Sequence, residues 1–240
     1  MKIIALGDTH GRTVWKKIVA KENFDKVVFV GDYFDTHEYV TPAQQKRNFE
    51  DIIAYKEVNK DKVVLLIGNH DFHYLSDMDE RYSGFNRYHA ANIEQLLLNA
   101  LQKDYLQMCF YYEPFLFVHA GITKTWCRNA LGNDSFKNNE LLAQTINQLF
   151  NEQPGLFRFT PGKGEDAYGD EVEQSPIWVR PDSLLADRVD NCTQIVGHTT
   201  QYQLVPDSKV TFIDALGTSG EYLCITDGYM QVHHSKRWYS

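Results

Sequence analysis

Residues 2–11 of the chain read Lys-Ile-Ile-Ala-Leu-Gly-Asp-Thr-His-Gly, a short apolar run that ends in glycine, aspartate and histidine. Apolar runs of this length, bounded by Gly and Asp, are typical of buried strands. The arrangement recurs twice: Lys26–Val30 runs into Gly31–Asp35, and Lys62–Ile67 runs into Gly68–Asp71. The first third of the chain therefore predicts three buried strands, each followed by residues that can bind a ligand.

Two later strands carry the same signal with histidine in place of aspartate. Phe115–Val118 is followed by His119, and Gln194–Val196 is followed by Gly197 and His198. Each motif is weak alone, since an isolated Asp is usually a turn residue and an isolated His usually a hydrogen-bonded core residue. Open α/β sheets, however, bind ligands at the carboxyl ends of their strands. Five successive strand ends with ligating side chains therefore predict one shared site.

Helix-length segments separate the early strands. The best marked is 41–58, in which Thr41 can cap the helix, Pro42 takes the first helical position and Gln44 completes a capping box. Further helices are predicted over Thr13–Lys21, Asn86–Lys103 and Asn139–Asn151. Strand–helix–strand order predicts parallel pairing in this half of the chain.

The second half is richer in strands, with turn signals at Pro206-Asp207 and Asp227-Gly228 that predict hairpins. Its apolar runs are Val210–Ile213, Tyr222–Thr226 and Met230–His233. We expect a single α/β domain over residues 1–240, built as a mixed sandwich of two sheets. Residues 155–175, rich in glycine and acids, are predicted to form a long surface loop.

The composition excludes several classes of protein. The 240 residues include 24 Lys and Arg against 32 Asp and Glu, so the formal net charge of −8 argues against nucleic acid or an anionic membrane surface as partner. The longest aliphatic run, Val63–Ile67, is too short to span a bilayer. An acid at position 8 comes too early for a signal peptide. Four separated cysteines predict reduced thiols and a cytoplasmic protein.

The five motifs together resemble the signature of the calcineurin-like metallophosphoesterases. They stand here as Gly7–Gly11, Gly31–Asp35, Gly68–Asp71, His119–Gly121 and Gly197–Thr199. The resemblance implies a four-layer α/β/β/α sandwich of two mixed sheets, with a dinuclear metal site at the carboxyl ends of the strands.

By this resemblance six side chains bind two metal ions that share one carboxylate. Asp8, His10 and Asp32 would hold one ion, and Asp32, Asn69, His119 and His198 the other. Imidazole and carboxylate ligands suit Mn, Fe, Zn or Ni, and the absence of thiolate argues against a structural zinc site. We expect two divalent ions, Mn²⁺ first among them, with a bridging hydroxide that attacks the phosphoester.

The resemblance also assigns roles to residues beside the ligands. His70 would protonate the leaving alkoxide, Asp35 would orient His70, and Asp71 would support the site from behind. The substrate phosphate would contact Arg180, Asn69 and His70. Histidine suits the acid role because its unperturbed pKa lies near neutral pH, and a guanidinium fork matches two phosphate oxygens.

Two features indicate a branch of the family. Gly197–Thr200 lacks the second histidine of phosphodiesterase members and so resembles the phosphoprotein phosphatases and diadenosine tetraphosphatases. Trp178-Val179-Arg180 resembles the bacterial and viral phosphatases, although a buried strand with a surface salt bridge is the alternative. Two arginines of that branch are missing, because Thr36 and Ile67 stand in their places. The candidates to replace them, for each of which a surface position is the favoured interpretation, are Arg81, Arg87, His37 and His73.

The leading hypothesis is a metal-dependent phosphomonoesterase that resembles the Ser/Thr phosphoprotein phosphatases and acts on a phosphorylated protein, a peptide or a small phosphoester. The alternative is a diadenosine tetraphosphatase or another nucleotide phosphohydrolase or phosphodiesterase. In that case a base could stack on aromatic side chains that core packing explains as well: Tyr33, Phe34, Phe72 and Tyr74. A third hypothesis is a metal-binding interaction module without catalysis.

Overall fold

Two mixed β-sheets form the centre of the fold, and helices flank them. The computed structural model describes residues 1–36, 38–75, 81–132, 138–160 and 169–235. The strands of these residues are β1 (Lys2–Leu6), β2 (Lys26–Phe29), β3 (Val63–Leu66), β4 (Leu106–Gln107), β5 (Cys109–Tyr112), β6 (Phe115–Val118), β7 (Thr193–Val196), β8 (Val210–Phe212), β9 (Glu221–Thr226) and β10 (Tyr229–His234).

The helices of the described residues include the capped helix expected after residue 41. They are α1 (Val14–Lys21), α2 (Pro42–Val58), α3 (Asn69–Phe72), α4 (Ala90–Gln102), α5 (Lys124–Leu131), α6 (Asn139–Glu152) and α7 (Pro181–Asp187). Thr41 and Gln44 form the predicted capping box at the start of α2. Across the described ranges, no helix combines the length and the apolar character that a membrane span requires.

The strand order positions the loops that follow the strands. One sheet has the order β10-β9-β1-β2-β3-β4 and the other β5-β6-β7-β8. β1 to β4 are parallel, as predicted, and β9 and β10 form the hairpin predicted at Asp227-Gly228. The hairpin predicted at Pro206-Asp207 is wrong, because β8 pairs with β7 in parallel. The segment between them, 197–209, is long enough for the crossover that parallel strands need.

The central strands are buried on both faces, which explains their continuous apolar sequences. In β1, Ile3 and Ala5 pack in the core between the sheets, which also contains Phe117 and Ile195 of the second sheet. Ile4 and Leu6 of β1 point to the opposite face of the sheet. They belong to the core that contacts the helices, which also contains Trp15 and Ile18 of α1. Helices therefore cover the outer faces of two stacked sheets, which confirms the expected fold class.

Segment 155–175 is a surface loop only in part. Gly155, Leu156, Arg158 and Thr160 are exposed. Phe157, Gln174 and Ser175, however, are buried. The Gln174 side chain accepts a hydrogen bond from the Thr160 amide (3.1 Å) and donates one to the Thr160 carbonyl (2.6 Å), and the Ser175 hydroxyl donates to the Phe157 carbonyl (2.9 Å). The buried polar side chains here bond to backbone groups of the same segment, so composition alone misjudges their exposure. Residues 161–168 lie outside the described residues.

A carboxylate at the end of α1 connects this helix to three strands. Glu22 accepts hydrogen bonds from the Tyr222 hydroxyl (2.8 Å) and the Lys2 ammonium group (2.6 Å), and lies 3.1 Å from His233 Nδ1. Burial opposes ionisation, but these partners outweigh it and lower the pKa of Glu22 to about 2. Ionised Glu22 therefore stabilises the junction of α1 with β1, β9 and β10.

Glu22→Gln is expected to lower the free energy of unfolding at neutral pH and to matter less in acid. The folded-state pKa lies below the ordinary value of 4.5, so the stabilisation is complete above that value and is lost as pH falls through 4.5 towards 2. Urea unfolding at about pH 7 and about pH 4 measures the difference between wild type and variant. Glu50→Gln, on the exposed side of α2, is the control. A Glu22 effect that stays constant across this pH range would contradict the assignment.

Candidate metal centre

The loops that follow the strands meet at one place, and their backbone is unusual there. His10, Asp32, Asp35 and His198 have φ values of 44°, 53°, 53° and 62°. Residues other than glycine rarely adopt this left-handed conformation, and it clusters at functional sites where the surrounding structure enforces it. Two of the loops are tied together by a hydrogen bond from the His10 amide to the Asp32 carbonyl (2.8 Å).

A first group of ligand atoms consists of two carboxylates and one imidazole. His10 Nε2 lies 4.0 Å from Asp8 Oδ2 and 3.9 Å from Asp32 Oδ2. His10 Nδ1 lies 2.8 Å from the Phe34 carbonyl oxygen and therefore carries the ring proton. The lone pair on Nε2 consequently faces the two carboxylates.

A second group lies on the other side of Asp32. His119 Nε2 is 3.5 Å from Asp32 Oδ2 and 2.9 Å from Asn69 Oδ1, and His198 Nδ1 is also 2.9 Å from Asn69 Oδ1. His119 Nδ1 lies 2.8 Å from the Val30 carbonyl oxygen, so its Nε2 presents a lone pair as well. Asp32 Oδ2 is therefore close to both groups. All six predicted ligands are brought together.

Burial and the proximity of like charges disfavour the charged forms of these side chains. Desolvation and the neighbouring acids raise the pKa values of Asp8 and Asp32 well above the usual range. Desolvation and nearby positive groups lower the pKa of His10 to about 4 and that of His119 to about 3, and lower the pKa of His198. The imidazoles are thus neutral at physiological pH, which is the form that binds metal.

The donor set fits a pair of divalent cations. Carboxylate oxygens, an amide oxygen and imidazole lone pairs converge within a buried space, and a positive charge would satisfy them all. Mixed nitrogen and oxygen ligands without thiolate suit first-row divalent metals. The first group, with Asp8 and His10, could hold one ion, and the second, with Asn69, His119 and His198, could hold another.

Asp71 fixes the positions of the loops behind these ligands. Its carboxylate accepts hydrogen bonds from three backbone amides, those of Asp32 (2.8 Å), Tyr33 (2.8 Å) and Gly68 (2.9 Å). The loop after β2 is thereby held against the loop after β3. The His70 amide in turn donates to Asp32 Oδ1 (2.9 Å). This is the supporting position expected for Asp71.

Asp35 lies beside the ligands, and its carboxylate contacts three side chains. It accepts a hydrogen bond from His70 Nδ1 (3.0 Å) and one from the Tyr74 hydroxyl (2.5 Å), and lies 2.6 Å from His73 Nε2. Burial opposes ionisation, but these partners outweigh it and lower the pKa of Asp35 to about 2. Because the Tyr82 amide donates to His73 Nδ1 (3.2 Å), the proton of the neutral His73 ring is on the nitrogen that faces Asp35. Asp35 is therefore a fixed anion behind His70.

An open cleft of about 740 Å³ is lined by Asp35 and by five of the six predicted ligands: Asp8, His10, Asp32, Asn69 and His198. Its lining includes the predicted phosphate-binding residues Arg180, Asn69 and His70. Three aromatic side chains also line it, namely Tyr82, Phe159 and Trp178. The Tyr82 and Trp178 rings pack edge to face, with centroids 4.2 Å apart.

Several candidates from the sequence lie elsewhere. Arg81 and Arg87 are exposed, and neither is among the described residues of the cleft wall. His73 is buried against Asp35 and is not a surface residue. His37 lies outside the described residues. The aromatic residues considered for base stacking are buried in the core: Tyr33, Phe34, Phe72 and Tyr74.

Sequence reasoning missed three charged residues of the cleft, Arg12, Glu38 and Asp214. Asp214 directly follows the run Val210–Ile213, so the strand-then-acid pattern that identified the predicted ligands was present here too. It accepts a hydrogen bond from the Thr200 hydroxyl (2.9 Å), at the position where a second histidine was expected in phosphodiesterases. Arg12 gave no such signal, because one arginine after a glycine has no characteristic pattern.

The fold and the clustered ligand groups are those of a phosphoesterase. A family model of calcineurin-like phosphoesterases matches residues 1–202, and the chain belongs to this family. The family consists of dinuclear metal-dependent enzymes, so the protein is a hydrolase of phosphoric esters.

Solved structures with the same fold include two protein phosphatases. A cold-active protein-tyrosine phosphatase of a psychrophilic Shewanella species is 22% identical with a TM-score of 0.64, over 98% of this chain and 78% of that one. A protein serine/threonine phosphatase from Saccharomyces cerevisiae is 14% identical with a TM-score of 0.54, over 98% and 80% of the two chains. At these identities the likeness shows the fold alone. No curated protein sequence matches significantly.

Gly197→Ala is expected to weaken metal binding at least about tenfold, because ligand-orienting contacts are worth about 10–100-fold in metal affinity. An added Cβ would overlap Asp8 Oδ1 and press on Val30, which forces the carboxylate out of position. Calorimetric titration of the metal-free protein with Mn²⁺ measures the change in metal affinity. Gly155→Ala is the matched control, since nothing lies within 4 Å of its added Cβ. Equal Mn²⁺ affinity in the two variants would contradict the assignment of Asp8 as a ligand.

Proposed function

We propose that the protein is a dinuclear-metal phosphomonoesterase of the phosphoprotein phosphatase type. The observation that carries this proposal is the pairing of two ligand groups, joined by Asp32 Oδ2, with a histidine–aspartate pair in the same cleft. When bound, two divalent ions, Mn²⁺ first among the candidates, would neutralise the phosphoryl oxygens and lower the pKa of the attacking water.

His70 would donate a proton to the leaving oxygen from Nε2, because its Nδ1 is engaged with Asp35 (3.0 Å). The ionised Asp35 carboxylate accepts the hydrogen bond of the Nδ1 proton and keeps the ring in one orientation. Transfer of the proton neutralises the alkoxide as the phosphorus–oxygen bond breaks.

Arg180 would bind the phosphoryl oxygens from the side of the second ligand group. It lines the cleft and lies close enough to His119 and His198 to lower their pKa values. A guanidinium can donate two parallel hydrogen bonds to phosphate oxygens. Asn69 would contribute to the same contact.

The phosphoprotein assignment is supported by the open cleft and by the absence of a histidine at Thr200. Two fold neighbours carry the names of protein phosphatases, one for tyrosine and one for serine/threonine, so phosphopeptides of all three residues are the first substrates to compare. The alternative, a nucleotide phosphohydrolase such as a diadenosine tetraphosphatase, is favoured by Tyr82, Phe159 and Trp178 in the cleft wall, which could stack on a base.

Mn²⁺-stimulated hydrolysis should fall on His70→Asn by about 10²–10⁴-fold for a phosphoserine peptide, because general acid catalysis contributes about this much. The loss should be smaller for p-nitrophenyl phosphate, whose leaving group needs little protonation. His234→Asn, at the exposed end of β10, is the control. An equal loss for both substrates would argue that His70 acts on the metal site and not on the leaving group.

Turnover of phosphopeptides, diadenosine tetraphosphate and bis-p-nitrophenyl phosphate should separate the substrate classes. We expect kcat/KM to be highest for a phosphopeptide, since Thr200 stands where diesterases carry histidine. A clear preference for the diester would overturn the monoesterase proposal. A preference for the dinucleotide would favour the alternative.

A further inference from the structure

We propose that Arg12 is a second phosphate-binding residue of the cleft, and that Glu38 occupies its guanidinium in the absence of substrate as a stand-in for the substrate anion. The inference rests on the proposed function, because the anion concerned is the phosphoryl group of the substrate. It supplies a cation that the sequence does not place at Thr36 or Ile67.

The guanidinium of Arg12 is held on one edge and occupied by an anion on the other. Nη1 donates to the carbonyl oxygens of Asp8 (3.2 Å) and Thr9 (3.4 Å). Nε and Nη2 both donate to Glu38 Oε1, at 3.0 and 2.7 Å. The Nε/Nη2 edge presents two N–H donors, which can bind a carboxylate or phosphate in two parallel hydrogen bonds. If Glu38 moved away, the first edge would keep this donor pair in place.

The position of Arg12 in the cleft suits a phosphoryl group. Of the lysines and arginines in the described ranges, Arg12 and Arg180 line the cleft. Arg12 is bonded to the loop of the first ligand group, through Asp8, whereas Arg180 acts on His119 and His198 of the second. A phosphomonoester dianion between the groups would therefore meet one guanidinium on each side.

The fold makes room for this side chain. The guanidinium lies against Gly217, and a Cβ at that position would overlap Arg12 Nη2 and Cζ. Gly217 also lines the cleft. A larger residue would push the guanidinium away, so glycine here keeps it flat against the wall.

Glu38 is the more easily displaced member of the pair. Its side chain is 46% exposed, against 18% for Arg12. An ion pair with so exposed a partner contributes little to stability, so a dianion can replace a single carboxylate at small cost. Glu38 also lines the cleft, so the exchange takes place where substrate enters.

The two partners of this ion pair should respond to substitution in opposite directions. Arg12→Gln should raise the inhibition constant of inorganic phosphate and the KM of p-nitrophenyl phosphate at least about tenfold, because it removes charged hydrogen bonds to the anion. Glu38→Gln should lower both by about two- to fivefold, because the competing carboxylate is gone. A purely structural ion pair would instead give changes in the same direction, with matching losses in melting temperature.

The experiment uses the Mn²⁺-loaded full chain, with phosphate affinity also measured by calorimetry and Mn²⁺ affinity measured for each variant. Arg87→Gln, exposed and outside the described cleft wall, should leave every value unchanged. Changes in the same direction for Arg12→Gln and Glu38→Gln, or a phosphate affinity that follows Mn²⁺ affinity alone, would overturn the proposal. Opposite changes in phosphate binding, without phosphoester turnover in the wild type, would retain the Arg12 assignment and reject the proposed function.

Discussion

The shared position of Asp32 is the constraint on which the site depends. Its Oδ2 atom lies 3.9 Å from His10 Nε2 and 3.5 Å from His119 Nε2, and these two histidines follow strands of different sheets. Asp32 adopts a left-handed backbone to reach this point, and Asp71 accepts the hydrogen bonds of its amide and of the next one. The surrounding hydrogen bonds thus hold a carboxylate where repulsion from Asp8 would otherwise push it away.

The chemistry of the cleft follows from two kinds of electrostatic environment side by side. In the ligand groups, burial and the neighbouring acids raise the pKa values of Asp8 and Asp32. A few residues away Asp35 has close partners, and its pKa is lowered to about 2. The first environment favours the binding of cations, and the second fixes a permanent anion behind a histidine. One loop, from Asp32 to Asp35, supplies both.

The sequence was sufficient for the parts of the fold in which local pattern and tertiary role agree. β1 and β6 have the predicted bounds because an apolar run buried on both faces is unambiguous. The parallel pairing of β8 could not be predicted, since a turn signal does not say where the following strand will dock. The role of Arg12 could not be predicted for a similar reason, because it depends on Glu38 and Gly217, which are distant in sequence.

The division of the ligands between the sheets has a mechanical consequence. Asp8, His10, Asp32 and Asn69 follow strands of the six-stranded sheet, whereas His119 and His198 follow strands of the four-stranded one. An ion in the second group would therefore act as a cross-link between the two halves of the sandwich. Because a ligand that binds only the folded state stabilises it by mass action, the docking of the two sheets would tighten with the supply of metal. The metal ion that takes part in catalysis would then also stabilise the packing of the two sheets against each other.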